Sequence, residues 1–173
     1  DPRGFSQANP GLNPDLVRTV ATSLGARAGT RVLELYAGAG NLTVPLAAGG
    51  LDLTAVEVNA PALAEGRAAV EALGRTARFL PGRVEEVVHS LAGSRFDAVV
   101  ADPPRTGLGP VASAVADLAA PRLVLVSCEP STLARDLRVL ADAGYGVRDA
   151  ILIDMFPQTW HIEAVVVLER GDG

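Results

Sequence analysis

Arg31-Val32-Leu33-Glu34-Leu35-Tyr36-Ala37-Gly38-Ala39-Gly40-Asn41 joins an apolar run to a turn holding two glycines, and the rest of the chain reads outward from it. A short, near-continuous apolar run closed by turn residues suits a strand buried on both faces, as in parallel sheets. Gly38 and Gly40 then let the backbone approach a ligand closely, where a Cβ would stand in the way. A dinucleotide fingerprint would place a third glycine at position 43, but that residue is Thr43. The loop therefore favours a ligand without a pyrophosphate.

On either side, apolar periodicity and punctuation alternate between helix and strand. Leu12 to Ala26 reads as a helix with Asn13 at its cap and Pro14 at its first position. After the glycine loop come a helix over Asn41–Ala48, a strand over Leu51–Val58 and a helix over Pro61–Leu73. Next are a strand over Ala77–Leu80, a helix over Val84–Leu91 and a strand over Phe96–Ala101. Pro110–Leu118 is helical, Leu123–Ser127 a strand, and Ser131–Ala143 a helix stopped by Gly144. Two closing strands, Val147–Ile153 and Ile162–Glu169, have no helix between them and are expected to pair antiparallel. The pattern predicts an α/β fold: a mostly parallel, seven-stranded sheet with an antiparallel C-terminal hairpin and helices on both faces. Residues 1–173 read as one domain, with 1–27 as a lead-in segment and helix and 28–173 as the sheet domain. The abrupt opening, Asp1-Pro2-Arg3-Gly4-Phe5, reads as the middle of something longer.

Composition narrows the function. All 15 basic residues are Arg, and the net charge is −5. Nucleic-acid binding is dominated by cations on phosphates, so the acidic balance argues against a strong, stand-alone nucleic-acid binder. No apolar run is long enough to span a bilayer. The one cysteine cannot form an intrachain disulfide, which fits the cytoplasm. No metal is expected, and one cysteine cannot hold an iron–sulfur cluster.

In open α/β sheets the ligand lies beyond the carboxyl ends of the strands. Several further residues fall at that edge. Glu57 ends the second strand, where a carboxylate accepts hydrogen bonds from ribose hydroxyls, a placement that nicotinamide-dependent enzymes share. Asp102 ends the fourth strand, and Pro103-Pro104 then fixes an extended turn. Arg105 follows, where methyltransferases of exocyclic amines carry an aromatic residue, so such a substrate is disfavoured. Cys128 follows the fifth strand. A lone cysteine is commonly a small buried hydrophobe, but this one precedes a helix N-terminus, which favours a thiolate. Glu163, at the start of the last strand, is the candidate base; His161 reads as structural and His89 carries no motif.

Together these segments resemble the RNA uracil-5 methyltransferases acting on tRNA and ribosomal RNA. Phe5-Ser6-Gln7-Ala8-Asn9 looks like the family's Phe-x-Gln-x-Asn motif, which implies that Gln7 contacts S-adenosylmethionine (SAM). Leu33 to Asn41 matches its first SAM loop, implying contacts from Tyr36, Gly38 and Asn41, and Glu57 and Asp102 fall on its two acidic contacts. Asp102-Pro103-Pro104-Arg105-x-Gly107 also matches closely. The most specific likeness is Ser127-Cys128-x-Pro130-x-Thr132-Leu133-Ala134-Arg135-Asp136, which implies Cys128 as nucleophile. Asp154-Met155-Phe156-Pro157-Gln158-Thr159-x-His161-x-Glu163 implies Glu163 as proton acceptor. The family usually has Cys in place of Ala37 and Asn in place of Glu129. A carboxylate at 129 is expected to raise the pKa of the neighbouring thiol unless its side chain points away.

The resemblance implies a class I SAM-dependent methyltransferase fold, SAM as cofactor, and an RNA substrate gripped with help from a further RNA-binding region. It also explains the thiol. Uracil C5 is a poor nucleophile until a thiolate adds to C6, and a base must afterwards remove the C5 proton. Two other functions fit the same residues: methyl transfer to a small molecule or protein, and a non-catalytic module binding SAM or RNA.

Overall fold

The computed structural model describes residues 13–154 and 162–171. Seven strands form one sheet in the order β3-β2-β1-β4-β5-β7-β6. They are β1 (Arg31–Leu35), β2 (Asp52–Glu57), β3 (Arg78–Pro81), β4 (Ala98–Ala101), β5 (Arg122–Ser127), β6 (Tyr145–Ile153) and β7 (Glu163–Arg170). The first five are parallel; β7 runs antiparallel to β5 and to β6. Helices α1 (Asn13–Leu24), α2 (Thr43–Ala48) and α3 (Ala60–Ala72) cover one face, and α4 (Val84–Ser90), α5 (Val111–Asp117) and α6 (Pro130–Asp142) the other. This is the doubly covered sheet expected from the sequence, hairpin included. No described helix is long and apolar enough to cross a membrane.

Alternation along the central strands explains the two cores. Val32 of β1 and Val100 of β4 face the α1–α3 layer with Leu16, Leu46 and Leu63. Leu33, Leu35 and Val99 face the other layer with Val88, Val115 and Leu140. Burial on both faces is why these strands read as continuous apolar runs.

Element ends differ from the sequence expectations by a few residues, each for a local reason. α2 begins at Thr43 because the turn through Gly40 is still closing, with Val44 N–H donating to the Gly40 carbonyl. β4 begins at Ala98 rather than Phe96, since Asp97 ties to β1 differently: its N–H reaches the Arg31 carbonyl and its carboxylate accepts from the Arg31 N–H at 2.8 Å. β6 begins at Tyr145, whose hydroxyl donates to the Ala120 carbonyl at 2.8 Å, and its pairing shifts by one residue between Val147 and Asp149. The Asn13 side chain, expected at the cap of α1, exchanges hydrogen bonds with the Asn41 side chain at 2.7 and 3.0 Å.

One polar residue interrupts β1. Glu34 is 1% exposed, and its Oε2 has no hydrogen-bond partner among the described residues. Burial pushes its carboxyl up to about 8, with nearby Thr43 opposing the shift and the Asp102 carboxylate adding to it. Desolvation disfavours the charged form, so Glu34 is protonated in the folded chain at neutral pH. As pH rises from about 5 to about 8, the unfolded chain loses this proton while the folded chain keeps it, and stability falls. Glu34→Gln cannot titrate. Its melting temperature should therefore gain on the parent's steadily across that window; a constant gap would show that Glu34 ionises normally.

Candidate active site

The strand registers bring the acidic residues and the glycine loop into one row. β1 pairs with β2 up to Leu35 opposite Val56 and with β4 up to Leu35 opposite Ala101. One residue further along, Tyr36, Glu57 and Asp102 stand side by side at the carboxyl edge. The Ala37 N–H donates to the Val56 carbonyl at 3.0 Å and the Asp102 N–H to the Leu35 carbonyl at 3.4 Å, so the pairing continues into the loop. Glu57 holds the corner: its carboxylate accepts from the Gly38 N–H at 2.9 Å and from the Asn59 N–H at 2.7 Å. Each carboxylate oxygen keeps a further lone pair for a ligand hydroxyl.

The loop is tight on one side and open on the other. Tyr36 adopts φ 63°, unusual for a residue with a side chain, and burial pushes its phenol up to about 12. Gly40, at φ 92°, lies against α3: a Cβ there would sit 3.1 Å from the Gly66 Cα, while one at Gly66 would sit 3.2 Å from the Ala39 carbonyl. By contrast, a Cβ at Gly38 would have no described neighbour within 4 Å. The Gly38 Cα thus faces open space, on a loop whose N–H is held by the Glu57 carboxylate. Asn41 closes the loop from the α1 side through its pairing with Asn13.

A second cluster forms beside it. β5 and β7 pair up to Ser127 opposite Ala164, so the next residues, Cys128 and Glu163, face one another across the strands. Glu163 is buried, with Oε2 lacking a hydrogen-bond partner among the described residues; burial raises its pKa, and Arg105 opposes the shift. Cys128, partly buried, has its thiol raised first by burial and then by Glu163, with Arg105 acting the other way as a positive charge and a hydrogen-bonding partner. The Cys128 thiol, the Glu163 carboxyl and the Arg105 guanidinium therefore act on one another, carried by the ends of β5, β7 and the loop after β4.

The chain's relatives give this edge a context. The family model for tRNA (uracil-5-)-methyltransferase matches residues 81–171, more than half of the chain. The chain belongs to this family. It is 42% identical to the 23S rRNA (uracil(1939)-C(5))-methyltransferase RlmD of Klebsiella pneumoniae over 98% of the chain, and 37% identical to the 23S rRNA (uracil(747)-C(5))-methyltransferase of Pyrococcus abyssi over the same share. It spans about 40% of the length of either relative. Among solved structures, the Pyrococcus abyssi tRNA (uracil-54, C5)-methyltransferase in complex with S-adenosyl-L-homocysteine matches with a TM-score of 0.85 and 33% identity, covering 96% of this chain and 40% of that one. The fold is that of the class I SAM-dependent methyltransferases.

Asp102, Arg105, Cys128 and Glu163 all lie within the stretch matched by the family model. Gln7 and His161, also singled out in the sequence, lie outside the described residues. Glu129, where the family usually has Asn, turns its carboxylate to the start of α6, the second of the two expectations for it. Its side chain caps α6, accepting from the Ser131 N–H at 3.3 Å and the Ser131 hydroxyl at 2.8 Å. The carboxylate that raises the thiol is Glu163. In the sequence Arg105 disfavours an amine substrate and belongs to the Asp102–Gly107 match, but nothing there directly marks its influence on Cys128 and Glu163. The one signal for it is its place directly after Asp102-Pro103-Pro104 at the end of β4.

The contact between Gly40 and Gly66 makes a direct prediction. Gly40→Ala combines a left-handed backbone with a clash against α3 and should cost about 1–3 kcal/mol. Urea unfolding checks this; an unchanged midpoint would mean that the loop does not rest on α3.

Proposed function

We propose that residues 1–173 form one catalytic domain that methylates C5 of a uridine in tRNA or ribosomal RNA, using SAM and a covalent bond between Cys128 and C6 of the base. The observation that carries this reading is the meeting of Cys128, Glu163 and Arg105 beside the glycine loop. The names of the relatives support the substrate class.

The edge row fits SAM. Two carboxylates, Glu57 and Asp102, flank an open glycine backbone, a donor and acceptor set suited to ribose hydroxyls and to a cationic ligand without phosphates. Tyr36, Gly38, Asn41, Glu57 and Asp102 would hold it, with Gln7 as the remaining contact. Bound there, SAM supplies an electrophilic methyl group.

The chain's own residues perform the other steps. The Cys128 thiolate adds to C6, and the C5=C6 electron pair moves into the ring as an enolate whose density lies on C5 and the adjacent carbonyl oxygen. Arg105 offsets the negative charge that the thiolate carries beside Glu163. Once C5 carries the methyl group, the Glu163 carboxylate takes the C5 proton. The C–H pair reforms the C5=C6 bond and expels Cys128 as thiolate. The base must leave its stack to reach such a pocket.

With a net charge of −5, the domain needs RNA contacts from a further, basic region. The single cysteine and the RNA substrate together favour the cytoplasm.

Methyl transfer from labelled SAM to tRNA and ribosomal RNA transcripts tests the roles. Cys128→Ala should abolish transfer while SAM binding persists; Glu163→Gln should stall after methylation, leaving RNA bound to the protein. Transfer by Cys128→Ala at the parent's rate would point to another acceptor chemistry. The pH dependence follows from the same groups. Cys128 and Glu163 both work deprotonated and both have raised pKa values, so the rate should climb from neutral to alkaline pH. A rate that falls over that range would remove the thiolate from the mechanism.

A further inference from the structure

Two sequence segments that the proposed mechanism uses only in part turn out to grip one another. The loop after β4, Asp102 to Gly109, carries Arg105, and the first turns of α6 carry Thr132, Arg135 and Asp136. Asp136 is a charged residue in a helix interior, yet it is 2% exposed. Its carboxylate accepts from the Leu108 N–H at 2.6 Å and from the Gly109 N–H at 3.1 Å, two loop donors with no strand to pair with. Arg135 donates to the same carboxylate at 2.9 Å and to the Thr106 carbonyl at 2.7 Å. The Thr132 hydroxyl is shared between the carbonyl of Arg105 itself at 3.0 Å and that of Glu129 at 3.1 Å. Gly107, at φ 70°, is the space that makes the grip fit, since a Cβ there would collide with the Asp136 carboxylate.

Arg105 is exposed, so its own packing does not hold it in place. Its backbone is fixed from α6, the same helix whose N-terminal end follows Cys128.

We propose that Asp136, supported by Arg135 and Thr132, is a positioning residue that locks the loop after β4, residues 102–109, onto α6 and thereby keeps Arg105 against Cys128. The inference rests on Cys128 being the nucleophile, but not on the identity of the acceptor. Among the described residues, the charged groups facing the thiol are Arg105 from this loop and Glu163 from β7; the neighbouring Glu129 is turned to Ser131. Releasing Arg105 leaves Glu163 unopposed, and the thiolate becomes scarcer.

Cys128 is the only cysteine in the chain, so alkylation by iodoacetamide, followed by intact mass across pH, reads its ionisation without any RNA. Asp136→Asn should slow alkylation near neutral pH by about three- to tenfold, the effect of roughly half to one pKa unit, and move the inflection to higher pH. In an Arg105→Gln background the same substitution should add nothing, because it acts through Arg105. Should Asp136→Asn fail to fold, Arg135→Gln, altering a half-exposed side chain, should shift the profile in the same direction. An unshifted profile in the folded variant, or an equal shift with and without Arg105, would overturn the clasp. Shifted alkylation in a protein that methylates no RNA would instead leave the clasp standing and remove the uridine reading.

Discussion

The site depends on the direction of one strand. β7 enters the sheet antiparallel between β5 and β6, so its first residue lies at the edge where the parallel strands have their last. Had β7 been parallel, Glu163 would sit at the opposite edge, a full strand length from Cys128. The reversed strand supplies a carboxylate facing the residue after β5, while the parallel strands supply Glu57, Asp102 and the glycine loop in the neighbouring row. The groups proposed to hold the cofactor and those proposed to react thereby share an edge without any long loop having to deliver them.

Electrostatics sharpen what topology brings together. Burial shifts Glu34, Glu163 and Cys128 alike towards their neutral forms by removing them from water. Arg105 works against this at the reacting cluster, and its position is inherited from backbone donors held by Asp136. Glu57 differs: accepting from two backbone N–H groups, it helps to hold the shape of the glycine loop as well as flanking it.

Much of the fold is legible because the central strands are buried on both faces and so read as unbroken apolar runs, each ended by a chemically distinctive residue. The antiparallel hairpin follows from the missing crossover helix. Side-chain direction is harder to read. Nothing in the sequence around Glu34 marks it as a buried acid, since only the covering α2 layer makes it one. Glu129 is expected to disfavour the thiolate unless it points away, and Glu-Pro-Ser at a helix start is also a cap, which fixes its side chain. Thr132, Arg135 and Asp136 stand in a motif without a role of their own, because their partners lie 27 to 29 residues earlier in the chain and no local pattern links the two.

The central claim is a covalent bond between Cys128 and a uracil ring. The most direct measurement is intact mass after incubation with SAM and RNA in which 5-fluorouracil replaces uracil. Fluorine at C5 cannot be removed as a proton by Glu163, so the reaction should stop with the ring still attached. The account predicts a methylated RNA adduct on Cys128, absent in Cys128→Ala. Methylated RNA released without any adduct would contradict it.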